Sequence, residues 1–217
     1  MNDVITKING LKETFITKVT EKIVAEGKLQ SYEIVWKQIQ DIAAKVIKDI
    51  LIQEFPSCEI IIPKSKSTYP DIKMILDRKV FAIDIKCAEL QKDPWYDMAR
   101  LDTIFEKRID VYEEEWEFLI KYDSETAEFK QAYFGLFREF VGYREDSGGV
   151  KYRPYDGKLR PKTWSEFDNN VIYWDTEEKY HEGIKKSQIH RWKENIKKHL
   201  APILNDEEKE DFKSLFD

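Results

Sequence analysis

Hydrophobic residues recur along this chain with two different periods, and the switches between them outline its elements. From Leu11 to Glu26 apolar positions fall at helical spacing. A second helix is predicted from about Ser31 to Phe55, where Ile34, Ile39, Ile42, Val46, Ile50 and Leu51 recur along one side. Ser31 is placed to cap its start and Pro56 to limit its end. A strand over Glu59–Ile62 follows, then a polar linker from Pro63 to Thr68, then two alternating strands, Ile72–Leu76 and Lys79–Cys87. Asp93-Pro94 interrupts the chain before a helix predicted over Trp95–Ile109. Residues 116–122 read as a strand, the polar DSET segment as a turn, and residues 128–141 as a strand passing into a short helix. Gly142–Lys162 collects Gly142, Gly148, Gly149, Gly157, Pro154 and Pro161 and is the longest predicted loop region. A mostly helical tail closes the chain, with no internal repeat on the scale of ~20–50 residues.

These elements fit one domain over residues 1–217, because 41% hydrophobic residues in a chain of 217 suffice for a core. Charged residues make up 36% and aromatic residues 13% without any low-complexity tract, the composition of a folded protein rather than a disordered one. No apolar run is long enough to span a bilayer, and the amino-terminal segment lacks the apolar core of a signal peptide. The expectation is a cytoplasmic protein with no membrane partner. Cys58 and Cys87 each sit in an apolar strand-like run and are expected to be buried thiols, in neither a disulfide nor a zinc site.

A net charge of −6 argues against a nucleic-acid partner, since phosphate binders usually carry net positive charge. The signs are unevenly placed, however. Residues 183–199 hold six Lys or Arg against one Glu, whereas residues 206–217 hold six acids against two Lys. Local charge governs contact with a polyanion, so a basic face remains compatible with the acidic total.

Candidate chemistry is concentrated between Tyr69 and Lys86. If Asp77-Arg78 form the centre of a tight turn, Asp71 lies opposite Asp84 on the facing strand. Alternation then puts Asp71, Lys73, Ile75, Val80, Ala82, Asp84 and Lys86 on one face, expected to face solvent. Ile72, Met74, Leu76, Phe81, Ile83 and Ile85 form the other, apolar face. Two facing carboxylates repel each other unless a cation lies between them, and hard oxygen donors suit Mg²⁺. Asp71, Asp84 and the main-chain carbonyl of Ile85 are the expected metal ligands. Lys86 is expected to orient or deprotonate a water and to stabilise developing negative charge, making Asp71, Asp84 and Lys86 the candidate catalytic residues. A solvated amphipathic hairpin with no catalytic role is the competing reading.

At these positions the chain resembles the PD-(D/E)xK nuclease superfamily, with Pro70-Asp71 and Asp84-Ile85-Lys86 in the motif positions. Tyr-Pro-Asp followed by Ala-Ile-Asp-Ile-Lys is similar to the EcoRV and HincII branch of Type II restriction endonucleases. The resemblance implies an α/β (α+β), restriction-endonuclease-like fold with a mixed central sheet flanked by helices. It also implies a Mg²⁺-dependent homodimer cutting both strands of double-stranded DNA at a specific sequence, with a DNA methyltransferase as genetic partner. Cys87-Ala88 stands where the EcoRV type has hydroxyl residues, so contacts from that point are not carried over. Other nucleases of the superfamily, acting in repair, junction resolution or mobile elements, share the triad, and a non-catalytic DNA-binding protein is a further alternative. Members of the superfamily often add an acid from the preceding helix, for which Glu33 and Asp41 are the candidates.

Other patterns change this picture little. His181, His190 and His199 recur every nine residues, but on one helix that spacing turns successive side chains by about 180° and rules out a shared ligand sphere. No glycine-rich phosphate loop of the ATPase or dinucleotide type occurs. Within Gly142–Trp164, the cations Arg144, Lys151, Arg153, Lys158, Arg160 and Lys162 alternate with Tyr143, Tyr152, Tyr155 and Trp164. Such a segment would suit base or phosphate contact if it were mobile, or else is an ordinary surface loop.

Overall fold

The computed structural model describes residues 2–26, 35–63, 69–103 and 112–213. Two amino-terminal helices, α1 (Asn2–Gly10) and α2 (Lys12–Ala25), precede the long helix α3 (Val35–Glu54). Helices α2 and α3 match the elements expected from hydrophobic spacing, whereas α1 is an additional short helix broken from α2 only at Leu11. The proposed cap Ser31, the start of its helix, the helix acid Glu33 and most of the Pro63–Thr68 linker lie outside the described residues.

A five-stranded mixed sheet carries the core in the order β1-β2-β3-β4-β5, formed by β1 (Glu59–Ile61), β2 (Ile72–Leu76), β3 (Lys79–Glu89), β4 (Glu114–Asp123) and β5 (Glu128–Leu136). Strands β3 and β4 run parallel, and every other neighbouring pair is antiparallel. Asp77 and Arg78 join β2 to β3 with φ of 50° and 64°, the backbone of a type I′ turn, and Ile72 faces Ile83 as the turn length requires. The register inferred for the hairpin is therefore the register observed.

The apolar face packs as expected. Ile72, Met74, Leu76, Phe81, Ile83 and Ile85 join Trp116, Phe118, Ile120 and Phe134 in one cluster closed by Phe15, Val19, Ile39, Ile47 and Leu51 of the helices. The opposite face differs from the expectation of solvent exposure. Ala82 and Asp84 are buried, and Leu119, Phe140, Trp164 and Phe167 form a second cluster there. Antiparallel sheets can leave one face wet, but here the chain beyond β3 returns to cover it.

That covering layer holds the largest departures from the sequence reading. Trp95–Arg100 is non-helical, with Arg100 bridged to Lys158, and helix appears only over α4 (Leu101–Thr103), with residues 104–109 of the predicted Trp95–Ile109 helix outside the described residues. Arg160, 1% exposed, accounts for the non-helical path: it donates to the Tyr96 carbonyl at 2.8 Å, pairs with Asp97 at 2.8 Å and lies 4.3 Å over the Trp95 ring. Gly142–Lys162 is likewise a folded segment rather than a mobile loop. It contains the hairpin β6 (Tyr143–Arg144) and β7 (Gly149–Val150) and the bridges Val141 to Pro161, Tyr152 to Leu159 and Arg100 to Lys158.

The four-residue helix α5 (Phe137–Phe140) follows β5 directly, and α6 (Trp164–Asp168) starts at Thr163, whose side chain accepts from Glu166 N–H. Helix α7 (Glu177–Leu200) packs on β7, where Gly149 sits against Ser187 with no room for a side chain, and α8 (Asp206–Lys213) completes the predicted helical tail. Both cysteines are free and half-buried rather than buried. No helix among the described residues is long and apolar enough to cross a membrane.

Candidate active site

Asp71, Asp84 and Lys86 all line one cleft of ≈ 460 Å³, together with Tyr69, Trp36, Gln40, Cys87, Tyr96, Asp97 and Tyr122. Strand geometry accounts for the convergence. Asp84 and Lys86 are two positions apart on β3 and share a face, and Asp71 follows the last pair of the β2–β3 ladder, one position beyond Ile72 opposite Ile83. Lys86 Nζ lies 2.6 Å from Asp84 Oδ2. Oδ2 of Asp71 accepts the main-chain N–H of Ile85 at 2.7 Å, which ties Asp71 to the segment between the other two residues.

The electrostatics follow from this packing. Burial raises the Asp71 carboxyl, and the neighbouring Asp84 charge raises it further, to about 6, against the opposing pull of the Ile85 N–H and Lys86. Burial alone would lower the Lys86 ammonium, but Asp84, followed by Glu117 and Asp71, outweighs it and raises the group above its ordinary value. Lys86 is thus a firmly protonated cation among acids.

Three features of the cleft were missed by the sequence reading. Gln40 on α3 donates from Nε2 to the Ile85 carbonyl at 2.7 Å and so fixes the main chain between Asp84 and Lys86. The search for a helix acid passed over it, and Asp41, its neighbour, is exposed and does not line the cleft. Glu117, fully buried, stands on β4 in register with Asp84. Its only sequence signal is one acid set between Trp116 and Phe118. Asp97 reaches the cleft from the non-helical segment Trp95–Arg100, where burial raises it but Lys158, Arg160 and Arg153 hold it below the usual carboxylate range.

The donor set can be tested against a divalent ion. Among the described residues no group of three or more His, Cys, Asp or Glu is arranged to hold a metal. Two carboxylates and a main-chain oxygen remain, with water for the other positions, and this is the sparse all-oxygen set that suits Mg²⁺ better than softer metals. Asp71 Oδ2 accepts from the Ile85 N–H, Asp84 Oδ2 pairs with Lys86, the two carboxyls lie within hydrogen-bonding reach of each other, and the Ile85 carbonyl keeps a second lone pair beside the Gln40 bond. The residues present therefore fit such an ion. The three histidines lie along α7 and contribute nothing here.

The cations expected to meet DNA are mostly engaged within the protein. Arg160 and Lys162 are buried, Arg153 pairs with Asp156 and Asp97, Lys158 with Asp97, and Arg144 with Asp146. Helix α7 carries a run of exposed basic residues, Lys185, Lys186, Lys197 and Lys198. Comparison of the sequence with protein-family models and with curated proteins returned no match.

Proposed function

We propose that this protein is a Mg²⁺-dependent endonuclease of the PD-(D/E)xK type, a Type II restriction enzyme that hydrolyses double-stranded DNA as a homodimer. The observation that carries the reading is the meeting of Asp71, Asp84 and Lys86 in one cleft, with the Ile85 main chain bonded between them. Burial, and after it the neighbouring Asp84 charge, raise the Asp71 carboxyl to about 6, a cost that a bound cation would relieve and that a structural hairpin has no need to build.

Asp71, Asp84 and the Ile85 carbonyl would hold the ion. When bound, Mg²⁺ would polarise the scissile phosphate and acidify a water. Lys86, kept protonated, donates to the attacking water or to the phosphoryl oxygen on which negative charge grows. Water adds its oxygen to phosphorus and gives a proton up to solvent, the P–O ester bond breaks, and the departing oxygen takes up a proton from solvent. Gln40 holds the Ile85 carbonyl in the orientation this requires. The exposed lysines of α7 give the acidic chain a local surface for phosphates.

Incubating plasmid and phage DNA with the protein in Mg²⁺ and in EDTA tests the reading. Discrete fragments in Mg²⁺ alone, absent with Lys86→Ala, are the expected result. A smear would point to a less specific nuclease of the same superfamily. Binding without metal-dependent cleavage would leave a DNA-binding protein.

A further inference from the structure

Glu117 places a carboxylate in the interior of the sheet, and neither oxygen reaches solvent. Burying a carboxylate is costly, and the same strand fills its neighbouring positions with Trp116, Phe118 and Leu119, any of which would serve packing better. Its surroundings account for its presence. Asp84 is its register partner on the adjacent parallel strand, and the two side chains share a face. The buried Tyr96 phenol lies against the Glu117 carboxylate, and Lys86, diagonal to Glu117, lies within its field. Asp71 at the edge of β2, Asp84 on β3 and Glu117 on β4 thus form a row of acids facing the Lys86 ammonium.

We infer that Glu117 is a positioning residue for Lys86, held in place by the Tyr96 hydroxyl. Lys86 is bound in this structure through Asp84 Oδ2 at 2.6 Å. The proposed reaction calls on Asp84 to hold a divalent ion, and whatever Asp84 gives to the ion it withdraws from the ammonium. Lys86 has a flexible four-carbon stem. With only Asp84 and Asp71, both proposed ligands of the ion, as its anions, it would either compete with the ion or swing away. A second carboxylate fixed on the dry side of the same face keeps the ammonium aimed into the cleft while Asp84 changes partner. Since the Glu117 oxygens are closed to solvent, the residue touches neither DNA nor a hydrated ion.

This inference rests on the nuclease reading. Its test is Glu117→Gln, which keeps shape and removes charge, beside Tyr96→Phe, which removes one hydroxyl. Single-turnover cleavage in Mg²⁺, KM for duplex DNA, Ca²⁺ affinity by calorimetry and melting temperature are the readouts. Glu117→Gln is expected to lower kcat about tenfold or more, with KM and Ca²⁺ affinity within about threefold of wild type. Its melting temperature is expected to stay level or rise, because an internal charge has gone. Tyr96→Phe should lower kcat less, and the double variant should lose less than the sum of the two. Turnover of Glu117→Gln within about threefold of wild type, or a loss matched by a fall in melting temperature, overturns the inference. Should Glu117→Gln fail to fold, wild-type turnover by Tyr96→Phe overturns it. A wild-type protein that never cleaves DNA in Mg²⁺ overturns the nuclease reading and this inference with it, whereas a cleaving wild type with an equally active Glu117→Gln overturns this inference alone.

Discussion

Asp71 accepts the main-chain N–H of Ile85 at 2.7 Å, so the first carboxylate of the cleft is fastened to the strand that carries the second. Because the same Oδ2 does structural work, charge and shape have to be separated by the choice of substitution. An asparagine can still accept the Ile85 N–H, but it brings no charge to a cation. Asp71→Asn is therefore expected to fold with an unchanged or higher melting temperature and to lose cleavage by about 100-fold or more. Asp84→Ala and Lys86→Ala are expected to abolish cleavage as well. Rates within about tenfold of wild type for any of the three would remove the catalytic assignment.

The raised Asp71 carboxyl gives a pH dependence whose sign is fixed. Its folded value of about 6 lies above the ~3.9 of an unfolded aspartate, so the folded form holds the proton more tightly. The resulting stability is fully present below about pH 4 and is lost as pH rises through about 6. In EDTA, the melting temperature of Asp71→Asn should therefore gain on wild type across that window. Parallel curves from acid to neutral pH would show that Asp71 ionises normally.

Divalent ions should act on the same pair in the opposite direction. At neutral pH, Ca²⁺ is expected to raise the melting temperature of wild type and to tighten binding to cognate DNA without supporting turnover, since it accepts looser coordination than Mg²⁺. Asp71→Asn should lose most of both responses. Equal DNA affinity in EDTA and in Ca²⁺, measured by anisotropy, would count against ion screening of the two carboxylates.

The apolar face of the hairpin supplies a control that touches no chemistry. Phe81 and Ile83 are each 2% exposed and lie in the cluster beneath α2 and α3. Truncating either to alanine is expected to cost about 2–5 kcal/mol of stability. Denaturant melts that match wild type for both variants would contradict the packing.

How much of this was legible in the sequence depended on the range of the interactions involved. The β2–β3 hairpin could be read because its turn and alternation are local: Asp77-Arg78 sets the register, and Ile72, Met74, Leu76, Phe81, Ile83 and Ile85 then fall on one side. Asp84 was placed on the correct face but in the wrong medium. What buries that face, Arg160 holding Tyr96 and Asp97 over it, joins residues more than sixty positions apart. The same contact explains why Trp95–Arg100 is non-helical despite a helical pattern, and why a Gly- and Pro-rich stretch is folded. Gln40 and Glu117 were invisible for a different reason. Each belongs to the cleft through a neighbour on another element, Ile85 and Asp84, and no spacing rule connects them.

The last prediction concerns the number of chains at work on one DNA. The sequence holds a single Pro-Asp and Asp-x-Lys set, and the structure gathers that set into a single cleft, so one chain offers one place to hydrolyse one strand. Duplex strands are antiparallel and related by local two-fold symmetry, and a two-fold dimer presents two identical clefts to them. The proposed restriction enzyme is therefore expected to bind cognate DNA as a homodimer. Mixing wild-type chains with Lys86→Ala chains should create heterodimers with one working cleft, and these should nick a supercoiled plasmid and rarely complete the break. Lys86→Ala suits the test because the substitution removes the ammonium at the cleft while leaving the apolar face of β3 untouched. Nicked circles that accumulate in proportion to the mixed dimer are the expected outcome. Linear product alone at every time point, with sedimentation showing monomers on cognate DNA, would replace the dimer with a nuclease that cuts each strand in a separate encounter.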